Sequence, residues 1–381
     1  AIRRFALKDR RSLVVAGTHG KTTTTALCGY LLNKAAMRPN MIVGGIARDF
    51  DASFLWGGGS WTVLEGDEYE TAFFDHSPKF LHYEPSILIL NNLETDHLDN
   101  FSGLPDLERA FRRLLEEIRP GGLMLAGIES DSVRGLAQEY GGKMLSFGLA
   151  GNEYYTARHI TFSRGGTRFT LHRGGAKIGE FKSPLYGAHN LRNAVAALAA
   201  CLEAGARAAD LAAALPGFSG VKRRQERVAE VRGITVVDDF AHHPTAVAET
   251  LKALRQQYGP ERVVACFEPR SYTCRTRQHQ EVLPSAFSGA DTVLTGPLKR
   301  LAGDPPQGHL DLEKFADDLK RNGKQAETFQ NYDDYLPWLE QRVRRGDLVV
   351  FFSSGSFGDL PARFSERLTA GRLCGESGMV K

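Results

Sequence analysis

Cysteine is scarce in this 381-residue chain: five thiols stand at positions 28, 201, 266, 274 and 374, and none forms a Cys-x-x-Cys pair. That spacing excludes a disulfide scaffold or a thiolate zinc framework and points to reduced thiols in a cytoplasmic protein. No long uncharged apolar run occurs, so no membrane insertion is expected. An excess of one charge is also missing. With 48 basic and 45 acidic residues the formal net charge is +3, which gives no electrostatic argument for nucleic acid or a membrane surface. Sequence repeats and long low-complexity tracts are absent. The basic opening "AIRRFALKDRR" looks slightly like a targeting peptide, yet it runs straight into an apolar strand and reads as part of the fold. The length suits two or three domains and is too great for one ordinary core.

What is present begins with "VVAGTHGKTTTTAL", residues 14–27. Ser12–Ala16 reads as a buried strand. Lys21–Leu32 reads as a helix, with Ala26, Leu27, Leu31 and Leu32 on one side. Gly17, Thr18, His19 and Gly20 make the turn between them. Such a turn lets backbone N–H groups converge on an anion, and the helix N-terminus adds its own donors and dipole. The expectation is a polyphosphate site, with Lys21 at the outer phosphates, Thr22 in the shell of a Mg2+ ion, and Thr23 in the same first turn. The pattern is shorter than a full Walker A, because Val15 stands where its first glycine belongs. A merely structural glycine turn is the alternative.

The first half alternates strands and helices. "SWTVLEGDEY", "PSILILNNLE" and "GGLMLAG" carry strands, and "DLERAFRRLLEEI" is an amphipathic helix. This is the rhythm of a parallel sheet with ligands at the carboxyl ends of its strands. From about Asn152 to Glu180 short β-rich pieces with glycine turns predict hairpins. The alanine-rich helices "HNLRNAVAALAACLEAG" and "AADLAAALPGF" follow. A second, smaller α/β unit begins near Arg223. The fold class is α/β, with residues 1–222 as a central P-loop-type ATPase domain on a mainly parallel sheet. Residues 223–381 form a Rossmann-like C-terminal domain.

Several polar residues sit at predicted strand ends. Glu65 and Asp67 follow one strand, and Asp96 and His97 follow the next. Glu65, His97 and Thr22 together offer a carboxylate, an imidazole and a hydroxyl to a hard metal; magnesium accepts histidine reluctantly, so manganese also fits. The bland readings are a solvated strand end for Glu65 and a loop hydrogen bond for His97. Asp96 and Asp99 read as turn caps. Asn190 either caps its helix, which spacing alone favours, or presents its amide to a base edge. Lys222, Arg223 and Arg224 are a solvated charge run or a phosphate clamp. Asp238, Asp239, His242 and His243 resemble a second metal site, but Pro244 at a helix start argues for capping.

Taken together, "AGTHGKTTTT", "EGDEYETAFFD", "NNLETDHLD", "YGAHNLRNAVAALA", "GVKRRQE" and "DDFAHHPTAV" resemble the Mur ligase family in order and spacing, over nearly the whole chain. The resemblance implies an ATP-dependent acid–amino-acid ligase acting in peptidoglycan recycling. Its implied substrates are UDP-N-acetylmuramate and the murein tripeptide L-alanyl-γ-D-glutamyl-meso-diaminopimelate. "EGDEYETAFFDHSPKFLHY" separates this branch from the L-alanine-adding one, which typically reads closer to Glu-Ala-Asp-Glu-Ser-Asp. The alanine-adding ligase, a folylpolyglutamate-synthase-like ligase and a non-catalytic nucleotide-binding module remain as alternatives.

The implied roles are ATP phosphates for Lys21, divalent metal for Thr22, Glu65 and His97, and adenine for Asn190. Arg224, Asp239 and His242 would meet the nucleotide from the C-terminal domain, with Lys21, Glu65, His97 and Arg224 serving catalysis. Arg270, Arg275, Arg277 and the loop Ser354–Gly355–Ser356 would meet the acceptor peptide. Several relatives carry a carbamylated lysine where this chain has Arg112. The second metal is then held differently, or the charge of Arg112 replaces part of its effect. Family members begin with a domain that grips UDP, and only thirteen residues precede "VVAG" here. The resemblance therefore implies a chain without that domain, weakly active or inactive alone. A monomer or weak homodimer is expected.

Overall fold

A computed structural model describes residues 2–96, 100–163, 165–299 and 308–371. Two compact units divide at residue 222/223.

The first unit is built on a ten-stranded sheet. Its strands are β1 (Arg11–Ala16), β2 (Asn40–Ala47), β3 (Ala52–Trp56), β4 (Trp61–Glu65), β7 (Ile87–Leu90), β8 (Leu123–Gly127), β9 (Lys143–Gly148), β10 (Tyr155–Ser163), β11 (Gly166–Arg173) and β12 (Ala176–Ser183). A separate hairpin joins β5 (Glu70–Ala72) to β6 (Asp75–Pro78). The spatial order is β12-β11-β10-β9-β8-β7-β1-β4-β2-β3. From β2 through β4, β1, β7, β8 and β9 to β10 every pairing is parallel. The predicted hairpins at β10–β12 extend this sheet antiparallel, and β3 closes the other edge antiparallel.

The central strands are continuous apolar runs because both their faces are covered. Leu13 and Val15 pack with α2 (Lys21–Lys34), α5 (Ala188–Glu203) and α6 (Ala208–Ala214). Val14 and Ala16 face the opposite layer, α3 (Leu104–Glu116) and α4 (Asp131–Glu139). In α3 the buried residues Leu107, Ala110, Phe111, Leu114 and Leu115 recur at helical spacing and make one stripe. A four-residue helix, α1 (Ile2–Phe5), precedes β1.

The second unit has a six-stranded sheet: β13 (Glu226–Val231), β14 (Ile234–Asp239), β15 (Arg262–Phe267), β16 (Thr292–Thr295), β17 (Gln325–Thr328) and β18 (Asp347–Phe352). The order is β13-β14-β18-β15-β16-β17, parallel except at β13. One face packs α7 (Pro244–Tyr258), α9 (Leu283–Ala286) and α10 (Leu312–Arg321), while α11 (Tyr335–Arg342) and α12 (Leu360–Thr369) cover the other. A short α8 (Tyr272–Arg275) follows β15. Among the described residues no helix is long and apolar enough to cross a membrane. Cys28, Cys201, Cys266 and Cys274 are buried free thiols; Cys374 lies outside the described residues.

Candidate active site

Strand register assembles the site. Val15 pairs with Glu65 of β4, and Ala16 with Leu90 of β7. The turn that leaves β1 is therefore flanked by Glu65 on one side and by Asn91 and Asn92 on the other. Gly17 has φ +122°, and a Cβ there would lie 2.7 Å from the Asn92 carbonyl oxygen, so only glycine fits the close approach. Gly20, at φ +82°, is the N-cap of α2 and brings no capping side chain. A Cβ there would run into the Asn193 side chain.

The loop is braced mainly by two amides that the sequence did not single out. Thr18 N donates to Asn92 O at 2.9 Å, and His19 N to Asn92 Oδ1 at 2.8 Å. The side-chain amides of Asn91 and Asn92 both donate to the His19 carbonyl. Thr18 Oγ1 bonds Glu94 O at 3.2 Å and accepts from Glu94 N at 3.0 Å. The Thr18 and His19 N–H groups, expected to face an anion, thus point into the loop after β7. Donation toward an anion falls to the uncapped start of α2, in whose first turn Thr22 and Thr23 are buried.

Two of the expected metal ligands meet. Thr22 Oγ1 donates to Glu65 Oε1 at 2.8 Å, and Glu65 Oε2 accepts from Gly44 N at 2.6 Å. Glu65 is therefore no solvated strand end. His97, the third expected ligand, and Asp99 lie outside the described residues. Asp67 turns to its own loop, bonding Lys79 Nζ at 2.9 Å and Tyr69 N at 3.2 Å. Nearby, burial, then Asp67 and Glu65, push the Tyr83 hydroxyl up to about 12.

Lys21 folds back on the loop. Its Nζ lies 2.7 Å from Gly17 O, 3.1 Å from Thr18 O and 2.9 Å from Glu68 Oε1. Burial works against its charge. The Glu68 carboxylate, with help from Glu65 and Asp67, outweighs that and holds the ammonium above the usual lysine range. Glu68 was missed in the sequence, where nothing separates it from its acidic neighbours.

Asn190 does not cap α5. Gly187 is the N-cap, at φ +89°, which starts the helix before Asn190 and places Asn190 inside it. Its Nδ2 donates to Tyr186 O at 3.0 Å, and its Oδ1 accepts from Asn193 Nδ2 at 3.3 Å. Asn193 in turn abuts Gly20, so the start of α5 is fixed against the loop. Lys222 is a surface residue paired with Asp51 at 2.8 Å. Arg112 is half-exposed and held by Glu139 at 2.8 Å and Glu108 at 3.9 Å. Its guanidinium is engaged on the surface, between α3 and the end of α4.

In the second unit, Arg224, Asp239 and His242 gather around Phe240. The Arg224 guanidinium lies 4.4 Å from that ring, His242 Nδ1 donates to the Phe240 carbonyl at 3.0 Å, and the two rings meet edge to face at 5.5 Å. Asp239 accepts from Gln225 N and Ala241 N, both at 2.7 Å, tying the turn before β13 to the end of β14. Pro244 opens α7 as expected, but His243 at the N-cap gives no side-chain cap and instead meets His279 edge to face at 5.0 Å.

Of the arginines expected to meet a peptide, Arg275 is buried and donates to Lys299 O at 3.2 Å, and Arg277 donates to His309 O at 3.3 Å. Arg270 is half-exposed, 3.7 Å from Glu268, and packs on Gly355 of the Ser354–Gly355–Ser356 loop. Arg223 braces that loop through the Ser353 and Gly355 carbonyls.

Comparison with known proteins places these features in a family. The model of the Mur ligase middle domain matches residues 15–201, and that of the Mur ligase, glutamate ligase domain, matches residues 223–355. The chain is 34% identical over 363 residues to the UDP-N-acetylmuramate–L-alanyl-γ-D-glutamyl-meso-2,6-diaminoheptandioate ligase of Haemophilus influenzae, covering 95% of this chain and 77% of that one. It is 35% identical over 367 residues to the Escherichia coli ligase of the same name, covering 96% and 77%. The crystal structure of a UDP-N-acetylmuramate-alanine ligase from Thermotoga maritima superposes with a TM-score of 0.79 at 25% identity, covering 97% of this chain and 78% of that one.

Proposed function

This chain belongs to the Mur ligase family, and from that membership we propose that it is an ATP-dependent amide ligase joining L-alanyl-γ-D-glutamyl-meso-diaminopimelate to UDP-N-acetylmuramate. Residues 1–222 are the P-loop-type ATPase domain. Residues 223–381 are the Rossmann-like domain that binds nucleotide and acceptor peptide. The observation that carries the reading is the convergence of Lys21, Thr22 and Glu65 at the carboxyl ends of β1 and β4, beside the uncapped start of α2.

The donor set suits a phosphate-bridging Mg2+ or Mn2+. The Thr22 hydroxyl and Glu65 carboxylate are hard oxygens already in contact, and Asn91 Oδ1 is a buried oxygen, beside the same loop, with no partner among the described residues. When bound, the ion offsets charge on the phosphate oxygens. His97 is the further ligand we propose. Lys21 binds the β and γ phosphates, and Asn190 meets the adenine. Arg224, Asp239 and His242 complete the nucleotide contacts.

The muramate carboxylate attacks the γ phosphorus and ADP leaves, giving an acyl phosphate. The free amine of the tripeptide then attacks the acyl carbon, losing its proton, and phosphate departs. Lys21 stabilises charge on the transferred group, while the rigid loop supplies position. Arg270, with the Ser354–Gly355–Ser356 loop, faces the acceptor. An alanine acceptor is the second reading, favoured by the Thermotoga maritima structure. Steady-state kinetics with tripeptide, L-alanine and L-glutamate side by side separate them: tripeptide is expected to give the highest kcat/KM, and preference for L-alanine overturns the assignment. Calorimetry of Lys21→Ala is expected to weaken Mg-ATP binding by roughly tenfold or more; unchanged affinity overturns the role of Lys21.

A further inference from the structure

We propose that Glu68 is a positioning residue for Lys21: an internal carboxylate that holds the ammonium folded onto the loop and yields it to the polyphosphate. The inference rests on the ATP-ligase reading above. Glu68 is 2% exposed, and a carboxylate so buried needs a charge partner. Its Oε1 lies 2.9 Å from Lys21 Nζ.

The stoichiometry of that ammonium is informative. Lysine has three donor protons, and three acceptors surround Nζ: the Gly17 and Thr18 carbonyls and Glu68. A phosphate oxygen can therefore gain Lys21 only by displacing one of them. The carbonyls belong to a loop held rigidly by Asn92. Glu68 is the acceptor on a side chain, and the one that competes as an anion. Its acidic neighbours are engaged elsewhere, Glu65 with Thr22 and Gly44, and Asp67 with Lys79 and the Tyr69 amide. Glu68 thus keeps Lys21 aimed along the loop in the resting site, at a cost in nucleotide affinity.

A double-mutant cycle on the full chain tests this, with Mg-ATP affinity measured by calorimetry for wild type, Glu68→Gln, Lys21→Gln and the double variant. Glu68→Gln is nearly isosteric and replaces an anionic competitor by a neutral one. It is expected to bind Mg-ATP about threefold to tenfold more tightly than wild type. In the Lys21→Gln background the same change is expected to have little effect, because Glu68 acts through the lysine. Unchanged or weaker binding by Glu68→Gln overturns the proposal. So does a gain that persists undiminished without Lys21, which would mean direct repulsion between Glu68 and phosphate. Should the glutamine variant fail to fold, Glu68→Met carries the same expectations. Wild type that binds no ATP removes the ligase reading itself, and this inference with it.

Discussion

Asp238 shows how burial can overrule an ion pair. Its carboxylate stands 3.3 Å from Arg223, yet burial pushes it up to about 6, with Asp239 and Glu226 adding to the rise and Arg223 opposing it. The sign of the pH effect follows. Below about pH 4 the group is protonated in both folded and unfolded chains. Between about pH 4 and 6 the folded protein holds a proton that the unfolded chain has released, so raising pH through this window lowers stability. Two pKa units correspond to about 3 kcal/mol at most. Asp238→Asn has no charge to bury. Urea unfolding at acid and neutral pH is expected to show the variant gaining on wild type as pH rises, by up to about 3 kcal/mol. Parallel stability curves would count against the shifted carboxyl. The same residue scale explains why Lys21–Glu68 was illegible in the sequence. The partners are 47 positions apart, and only the parallel pairing of β1 with β4 brings them together.

At the scale of elements, the hairpin of β5 and β6 stands apart. Its base is braced by Thr71 with Ser77, Asp75 with Ser77 and His82, and Lys79 with Asp67. Its tip carries Phe73 and Phe74, 95% and 90% exposed. Neither ring buries area in the folded chain, so Phe73→Ser and Phe74→Ser are each expected to change stability by within roughly 0.5 kcal/mol, read by urea unfolding. Losses of several kcal/mol would mean that the tip packs in solution. The strands β1, β7 and β8 were legible because both faces are buried and the sequence is a plain apolar run. Helix α3 was legible from its stripe. The hairpins of β10–β12 were legible as hairpins, but not as a continuation of the main sheet, because their attachment is a parallel pairing of β9 with β10 only two residue pairs long, Tyr155 with Phe147 and Thr156 with Gly148. The start of α5 was misread for a local reason. Asn190 is a good capping residue by type, but Gly187, at a positive φ with an extended ψ, is the N-cap and begins the helix earlier.

At the scale of the whole molecule, the chain divides where composition changes, at "GVKRRQE", and each unit encloses its own cores. In the second unit the two faces of one sheet bury separate clusters. Phe267, Phe287, Phe315 and Phe352 meet on one side, and Phe351, Phe357, Phe364 and Tyr335 on the other. Aromatic pairs link them within each cluster, such as Phe267 with Phe287 at 5.3 Å and Phe357 with Tyr335 at 5.3 Å. A unit of this size with a covered sheet buries enough surface to fold alone. Residues 223–371, produced separately, are therefore expected to unfold in a single cooperative transition, with coincident far-ultraviolet circular dichroism and aromatic fluorescence. The control is Phe352→Ala in the same fragment. It removes a fully buried ring from the sheet's core face and is expected to cost about 3–5 kcal/mol. A fragment with a gradual, probe-dependent transition, insensitive to Phe352→Ala, would show that these clusters do not form a core without the rest of the chain.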